Sequence, residues 1–156
     1  MTIPAVKQTV TVNAPVEKAF KVYTEGFNSW WPPQHHIGTA AMAEAVLEAR
    51  PGGRWYERGV DGSECEWGQV LAYEPPTRLL LSWQINGTWQ YDPDLGHASE
   101  VEVLFTDLGD GRTRVDLEHR AFERHGATAS SVQDAVGGDG GWPMIMERFT
   151  ESAEST

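Results

Sequence analysis

The sequence predicts an α+β fold: a curved antiparallel sheet of about six or seven strands wrapped around a long C-terminal helix, with two short helices after the first strand. Three observations carry this. Residues 101–117 alternate apolar and polar on both arms of one hairpin. Trp142, Ile145, Met146 and Phe149 make a stripe at helical spacing. A second stripe, Val16, Ala19, Phe20 and Tyr23, follows the first strand. The C-terminal helix must bury its stripe, and the concave face of the sheet is the available partner.

The elements follow in order. Val10 and Val12 alternate with Thr9 and Thr11, which suits a half-buried strand over residues 6–12. Pro15 opens the first helix without costing a hydrogen bond, because the earliest N–H groups of a helix have no partner within it. Gly26 ends that helix. A short second helix is expected over residues 27–33, stopped by Pro32-Pro33. Residues 35–38 read as loop. Strands are expected at 45–49, 54–58, 64–73 and 77–85, separated by Pro51-Gly52-Gly53, Asp61-Gly62 and Pro75-Pro76. Asn86-Gly87 marks a turn, and residues 90–97 are loop.

The last hairpin fixes its own register. Val101, Val103, Phe105, Val115 and Leu117 are all odd-numbered, so facing residues must sum to an even number to share one side of the sheet. A two-residue Asp-Gly loop gives an odd sum and sets Phe105 against Asp116. A three-residue loop, Gly109 to Gly111, pairs Phe105 with Val115 and Val103 with Leu117, with Gly111 left-handed. The same register puts His119 opposite Val101 on the inner face. Glu100, Glu102, Asp116 and Glu118 then point outward, a solvated face that discourages edge aggregation. Residues 130–136 carry a turn or two of helix, and Gly137 to Gly141 reads as a flexible joint. Pro143 opens the final helix, and residues 151–156 are expected to fray.

Composition narrows the function classes. The 156 residues suit a single domain, 1–156, with no repeat or linker. Twelve Lys+Arg against 23 Asp+Glu give a net charge of −11, which disfavours phosphate backbones and anionic lipid. No nucleic-acid partner is expected. No window approaches the roughly 20 apolar residues of a membrane helix, so no membrane insertion is expected either. Residues 1–8 lack the pattern of a secretory signal, and the one cysteine, Cys65, fits a reducing compartment. The expected localisation is cytoplasmic, as a monomer or homodimer.

Seven tryptophans stand in this short chain. Trp55, Trp67, Trp83, Phe105, Trp142, Met146 and Phe149 are the candidate lining of a ligand cavity, since rings and a soft Met suit a flat or aliphatic molecule. Plain core packing is the competing reading, and strand phase alone does not separate the two. His119 is a candidate ligand-binding residue and the one weak candidate for acid/base chemistry. A histidine hydrogen-bonded at a strand end is its competing reading, because no partner acid or nucleophile is visible beside it.

No metal site or cofactor is expected. His35, His36, His97, His119, His125 and Cys65 lack zinc-site spacing. Neither Ser63 nor Ser82 sits in a nucleophile elbow, and the glycine run lacks the Lys-Ser/Thr of a phosphate loop.

Several local strings carry a family resemblance over nearly the whole chain. They are residues 10–20 (VTVNAPVEKAF), 27–32 (FNSWWP), 52–57 (GGRWYE), 68–76 (GQVLAYEPP), 78–83 (RLLLSW) and 140–143 (GGWP). Together they resemble the SRPBCC (START-like, helix-grip) superfamily, in the branch named after the activator of the heat-shock-protein-90 ATPase. The resemblance implies a cavity between sheet and C-terminal helix, used across the superfamily for lipids, sterols, polyketides and aromatic compounds. It transfers no shared catalytic motif. Eukaryotic chaperone activators carry an additional N-terminal domain for which 156 residues leave no room. The expected function is therefore a hydrophobic small-molecule carrier or sensor, and more a binding protein than an enzyme. One alternative is a chaperone-ATPase-modulating interaction module, with an exposed patch including Trp30 and Trp31. The other is a cyclase- or hydrolase-type enzyme using His119.

Overall fold

The computed structural model describes residues 3–155. Seven strands form one sheet: β1 (Val6–Val12), β2 (Met42–Leu47), β3 (Arg54–Gly59), β4 (Glu64–Glu74), β5 (Arg78–Trp83), β6 (Ser99–Asp107) and β7 (Thr113–Arg120). Their order is β1-β7-β6-β5-β4-β3-β2, and every neighbouring pair is antiparallel. Three α-helices, α1 (Val16–Thr24), α2 (Ala129–Gly137) and α3 (Trp142–Glu154), complete the chain with short 3-10 turns. The fold class is the α+β helix-grip arrangement that the sequence implied.

The two halves of the sheet differ. The β1-β7-β6-β5 half pairs without interruption, whereas the register shifts between Met42 and Glu44, between Trp55 and Tyr56, and between Val70 and Ala72 in the other half. A bulge adds a residue to one strand, bends it and increases its twist. Three bulges on one side curl β2, β3 and β4 over the helices and make the sheet concave.

The β6–β7 register is the one that side-chain parity required: Phe105 faces Val115, Val103 faces Leu117 and Val101 faces His119. The turn closes with the Leu108 N–H donating to the Arg112 carbonyl at 3.0 Å, leaving Gly109, Asp110 and Gly111 as the loop. All three, not Gly111 alone, take positive φ, at 79°, 49° and 79°. On the convex face the acidic residues pair with arginines. Arg120 reaches Glu100, Glu102 and Glu118, and Arg78 joins Glu102 to Glu74.

Four expectations change. The second short helix reduces to one 3-10 turn at Phe27–Ser29, because Trp30 turns inward and gives its indole N–H to the Val22 carbonyl at 3.0 Å. Strand β2 starts earlier than expected, at Met42. The C-terminal end does not fray after residue 150: α3 runs to Glu154, Ala153 is fully buried, and the Asn13 N–H binds the Glu154 carboxylate at 2.9 Å. Thr156 lies outside the described residues. Finally, the glycine run is a tight corner rather than a loose joint. A Cβ on Gly141 would stand 2.2 Å from the Val136 carbonyl oxygen, so only glycine lets α3 start against the end of α2.

One continuous apolar core fills the concave side. At one end Phe20 and Tyr23 of α1 meet Phe105 of β6 and Phe149 of α3, with ring centroids 4.9–5.7 Å apart. Such edge-on packing is the favoured geometry of aromatic quadrupoles. At the other end the rings belong mostly to tryptophan, and there the packing is incomplete.

Candidate functional site

The incomplete end encloses a cavity of about 460 Å³ between the bulged strands, the first turn of α3, the end of α2 and the loop after the 3-10 turn. Trp31, Trp67, Trp83 and Trp142 form its apolar wall, and Gln34, His35 and His36 supply polar groups. The Trp31 and Trp67 rings lie 5.2 Å apart, and Trp142 lies 6.1 Å from each of Trp31 and Trp83. These tryptophans are almost wholly buried, so they are held by their neighbours rather than free to fill the space.

Glu57 holds the rim in place. Its side chain is in phase with Trp55 on β3 and is almost completely buried. One carboxylate oxygen accepts the Ile37 N–H at 2.6 Å and the Trp67 indole N–H at 2.9 Å, and the other accepts the Gly38 N–H at 3.1 Å. A buried carboxylate is tolerated where hydrogen bonds replace its lost water. Here they tie the loop over residues 34–38 to a cavity tryptophan. His36 Nδ1 lies 3.0 Å from the Gly38 carbonyl, which can only accept, so Nδ1 carries the proton.

His119 sits beneath the wall with no exposure at all. The Trp142 indole N–H donates to its Nδ1 at 3.0 Å. An indole N–H can only donate, so Nδ1 is bare and the imidazole proton is on Nε2. That proton goes to the Ser99 hydroxyl at 2.8 Å, and the hydroxyl hydrogen is left for Nε2 of His125, also at 2.8 Å. The protons of Trp142, His119 and Ser99 thus all run in one direction, ending on Nε2 of His125. Burial, with the charge of His125 adding to it, pushes the His119 pKa well below the usual histidine value. Burial lowers His125 as well, opposed by the carboxylate of Asp92. Burial, and then Arg148, lowers His35.

The residues expected to line a cavity separate into two groups. Trp67, Trp83 and Trp142 border it. Trp55, Phe105, Met146 and Phe149 are buried in the packed core, and His119 touches the wall through Trp142. Trp55 keeps its Nε1 donor without a partner, the one buried side-chain polar atom of which this is true among the described residues. Trp30 and Trp31 are 1% and 4% exposed, so they form no surface patch for a chaperone. Gln34, His35, His36 and Glu57 were not singled out as site residues from the sequence. Glu57 left one signal, a carboxylate in the apolar phase of β3. The other three lie in a loop whose position no periodicity reports.

The sequence pattern of the family described as Activator of Hsp90 ATPase homolog 1-like protein matches residues 13–154. The chain belongs to this family. Among solved structures, an anthrahydroquino-γ-pyrone synthase, Txn09, is 41% identical, with 96% of this chain and 97% of that one covered and a TM-score of 0.68. A self-sacrificing resistance protein, CalC from Micromonospora echinospora, is 36% identical over 96% and 94% of the two chains, with a TM-score of 0.71. CalU16 from the same organism, 22% identical with a TM-score of 0.61, shares the fold. No curated protein matches the chain. Among the described residues no helix is long and apolar enough to cross a membrane.

Proposed function

We propose that this family member binds a flat, largely apolar small molecule in the tryptophan-walled cavity, as a carrier or sensor. The observation that carries this reading is the cavity itself. Its volume of about 460 Å³ falls within the roughly 300–1,000 Å³ usual for small-molecule sites. Its wall is aromatic, and its few polar groups come from one loop. That combination suits a fused-ring compound with hydroxyl or carbonyl groups along one edge. The likeness to a protein named as a synthase of an anthrahydroquino-γ-pyrone supports the same ligand chemistry.

A ring-closing enzyme is the second reading, favoured by the 41% identity to a synthase. In that reading acid/base work falls to His35 or His36, which border the cavity beside Gln34, a hydrogen-bonding group only. His119 is a poor candidate, since Trp142 and Ser99 occupy its two nitrogens.

Thermal unfolding with a panel of hydroxyanthraquinones, flavonoids, sterols and fatty acids tests the binding reading. A ligand held only by the folded state at 100 times its Kd adds about 2.7 kcal/mol, a clear rise in Tm. Saturable stabilisation by a fused-ring compound is the expected result, and absence of any shift across the panel overturns it. A bound compound recovered chemically altered moves the assignment to the enzyme.

A further inference from the structure

We infer that Trp89 is the closing aromatic of this cavity, stacking on the exposed face of a bound planar ring and selecting flat ligands over aliphatic chains. The inference deepens the binding reading above and rests on it.

Trp89 differs from the other six tryptophans in three respects. They are all at most 6% exposed, whereas Trp89 is 50% exposed while still bordering the cavity. Its backbone has φ of 62°, a left-handed conformation that disfavours every residue except glycine and, to a lesser degree, asparagine or aspartate. Among the described residues no other ring packs against its indole, although each of the other tryptophans has at least two ring partners. An aromatic face left unpaired at a cavity mouth, on strained backbone, is unfavourable twice over in the free protein.

The strain is not slack. The Trp89 N–H donates to the Asn86 carbonyl at 3.0 Å, and Asn86 Oδ1 accepts from the Thr88 N–H, the Thr88 hydroxyl and the Gln90 N–H. The Gly87 N–H is tied to the Thr128 hydroxyl just before α2 at 3.0 Å. Below the loop, Ile85 pairs with Tyr91 and borders the same cavity. The side chain is therefore presented from a pinned loop. A planar ligand occupying the cavity would give Trp89 the ring partner it lacks, by offset stacking. A fatty acid offers no such face.

The test measures Kd for 1,8-dihydroxyanthraquinone and for laurate, together with Tm, in wild type, Trp89→Gly and Trp89→Phe. Glycine relieves the left-handed backbone, so Trp89→Gly should melt at or above the wild-type temperature. Its affinity for the anthraquinone should fall roughly five- to tenfold with laurate affinity unchanged, and Trp89→Phe should recover most of the loss. Equal anthraquinone affinity in wild type and Trp89→Gly overturns the assignment while leaving the cavity reading intact. So does a parallel loss for laurate, or wild-type binding of laurate alone. Wild type that binds neither probe removes the binding reading and Trp89's role with it.

Discussion

The two ends of the aromatic core are built from similar residues and reach opposite results. At the closed end Phe20, Tyr23, Phe105 and Phe149 interlock. At the open end four tryptophans leave about 460 Å³ between them. The difference lies in what holds the rings. The closed end has hydrocarbon faces that slide until they touch. At the open end all four indole N–H groups are tethered: Trp31 to the His35 carbonyl, Trp67 to Glu57, Trp83 to the Ile85 carbonyl and Trp142 to His119. A tethered ring cannot move in to fill a void without giving up a buried hydrogen bond. Polar tethers can thus keep a cavity open in an otherwise close-packed interior.

The largest effects should come from truncating one residue at each end of the same helix face. Phe149→Ala opens a new void at the closed end and should cost about 3–5 kcal/mol. Ile145→Ala enlarges a space already present and should cost about 2 kcal/mol, the low end for such a change. Denaturant unfolding of the two variants checks this, and equal costs would break the distinction between the ends.

Next comes the rim. Glu57→Ala strands the Ile37 and Gly38 N–H groups and the Trp67 indole, at roughly 1.5–3 kcal/mol. Glu57→Gln keeps one acceptor oxygen and should cost less. Amide exchange at Ile37 and Gly38 should accelerate in Glu57→Ala while that at Val103 and Phe105 holds. Uniform acceleration would show that Glu57 supports the whole fold rather than the open end.

The smallest effect is set by pH. His119, His35 and His125 all have pKa values below the unfolded value of 6.5. The unfolded chain therefore takes up more protons than the folded one as pH falls through about 6.5. Their stabilisation is complete above that pH and is lost on acidification. His97 runs the other way: its bond to Asp92 raises it, so its contribution fades as pH rises, but it is exposed and weak. Tm should fall between about pH 7.5 and about pH 5.5, and His119→Asn should flatten that fall. An unchanged slope in the variant would remove the buried imidazole as its source.

The residues alone determined the regular half of the molecule. Period-two alternation on β6 and β7 fixed the hairpin register and the inward side of His119, because a one-residue slip would bury Glu102 and Asp116. Helical spacing gave α1 and α3, since those stripes have to be covered. Local strings showed the family for the same reason: they record turns and strand edges that this fold requires. Tertiary structure decided the rest. Bulges in β2 and β4 shift the alternation on which strand phase depends, so the curl was not readable from period alone, and Glu57 showed only as a carboxylate in the apolar phase of β3. Whether a tryptophan meets a neighbour or empty space depends on distances between elements far apart in the chain. The 34–38 loop and Trp89 take their places from hydrogen bonds to β3 and to the start of α2, and those partners exist only once the sheet has closed over the helix.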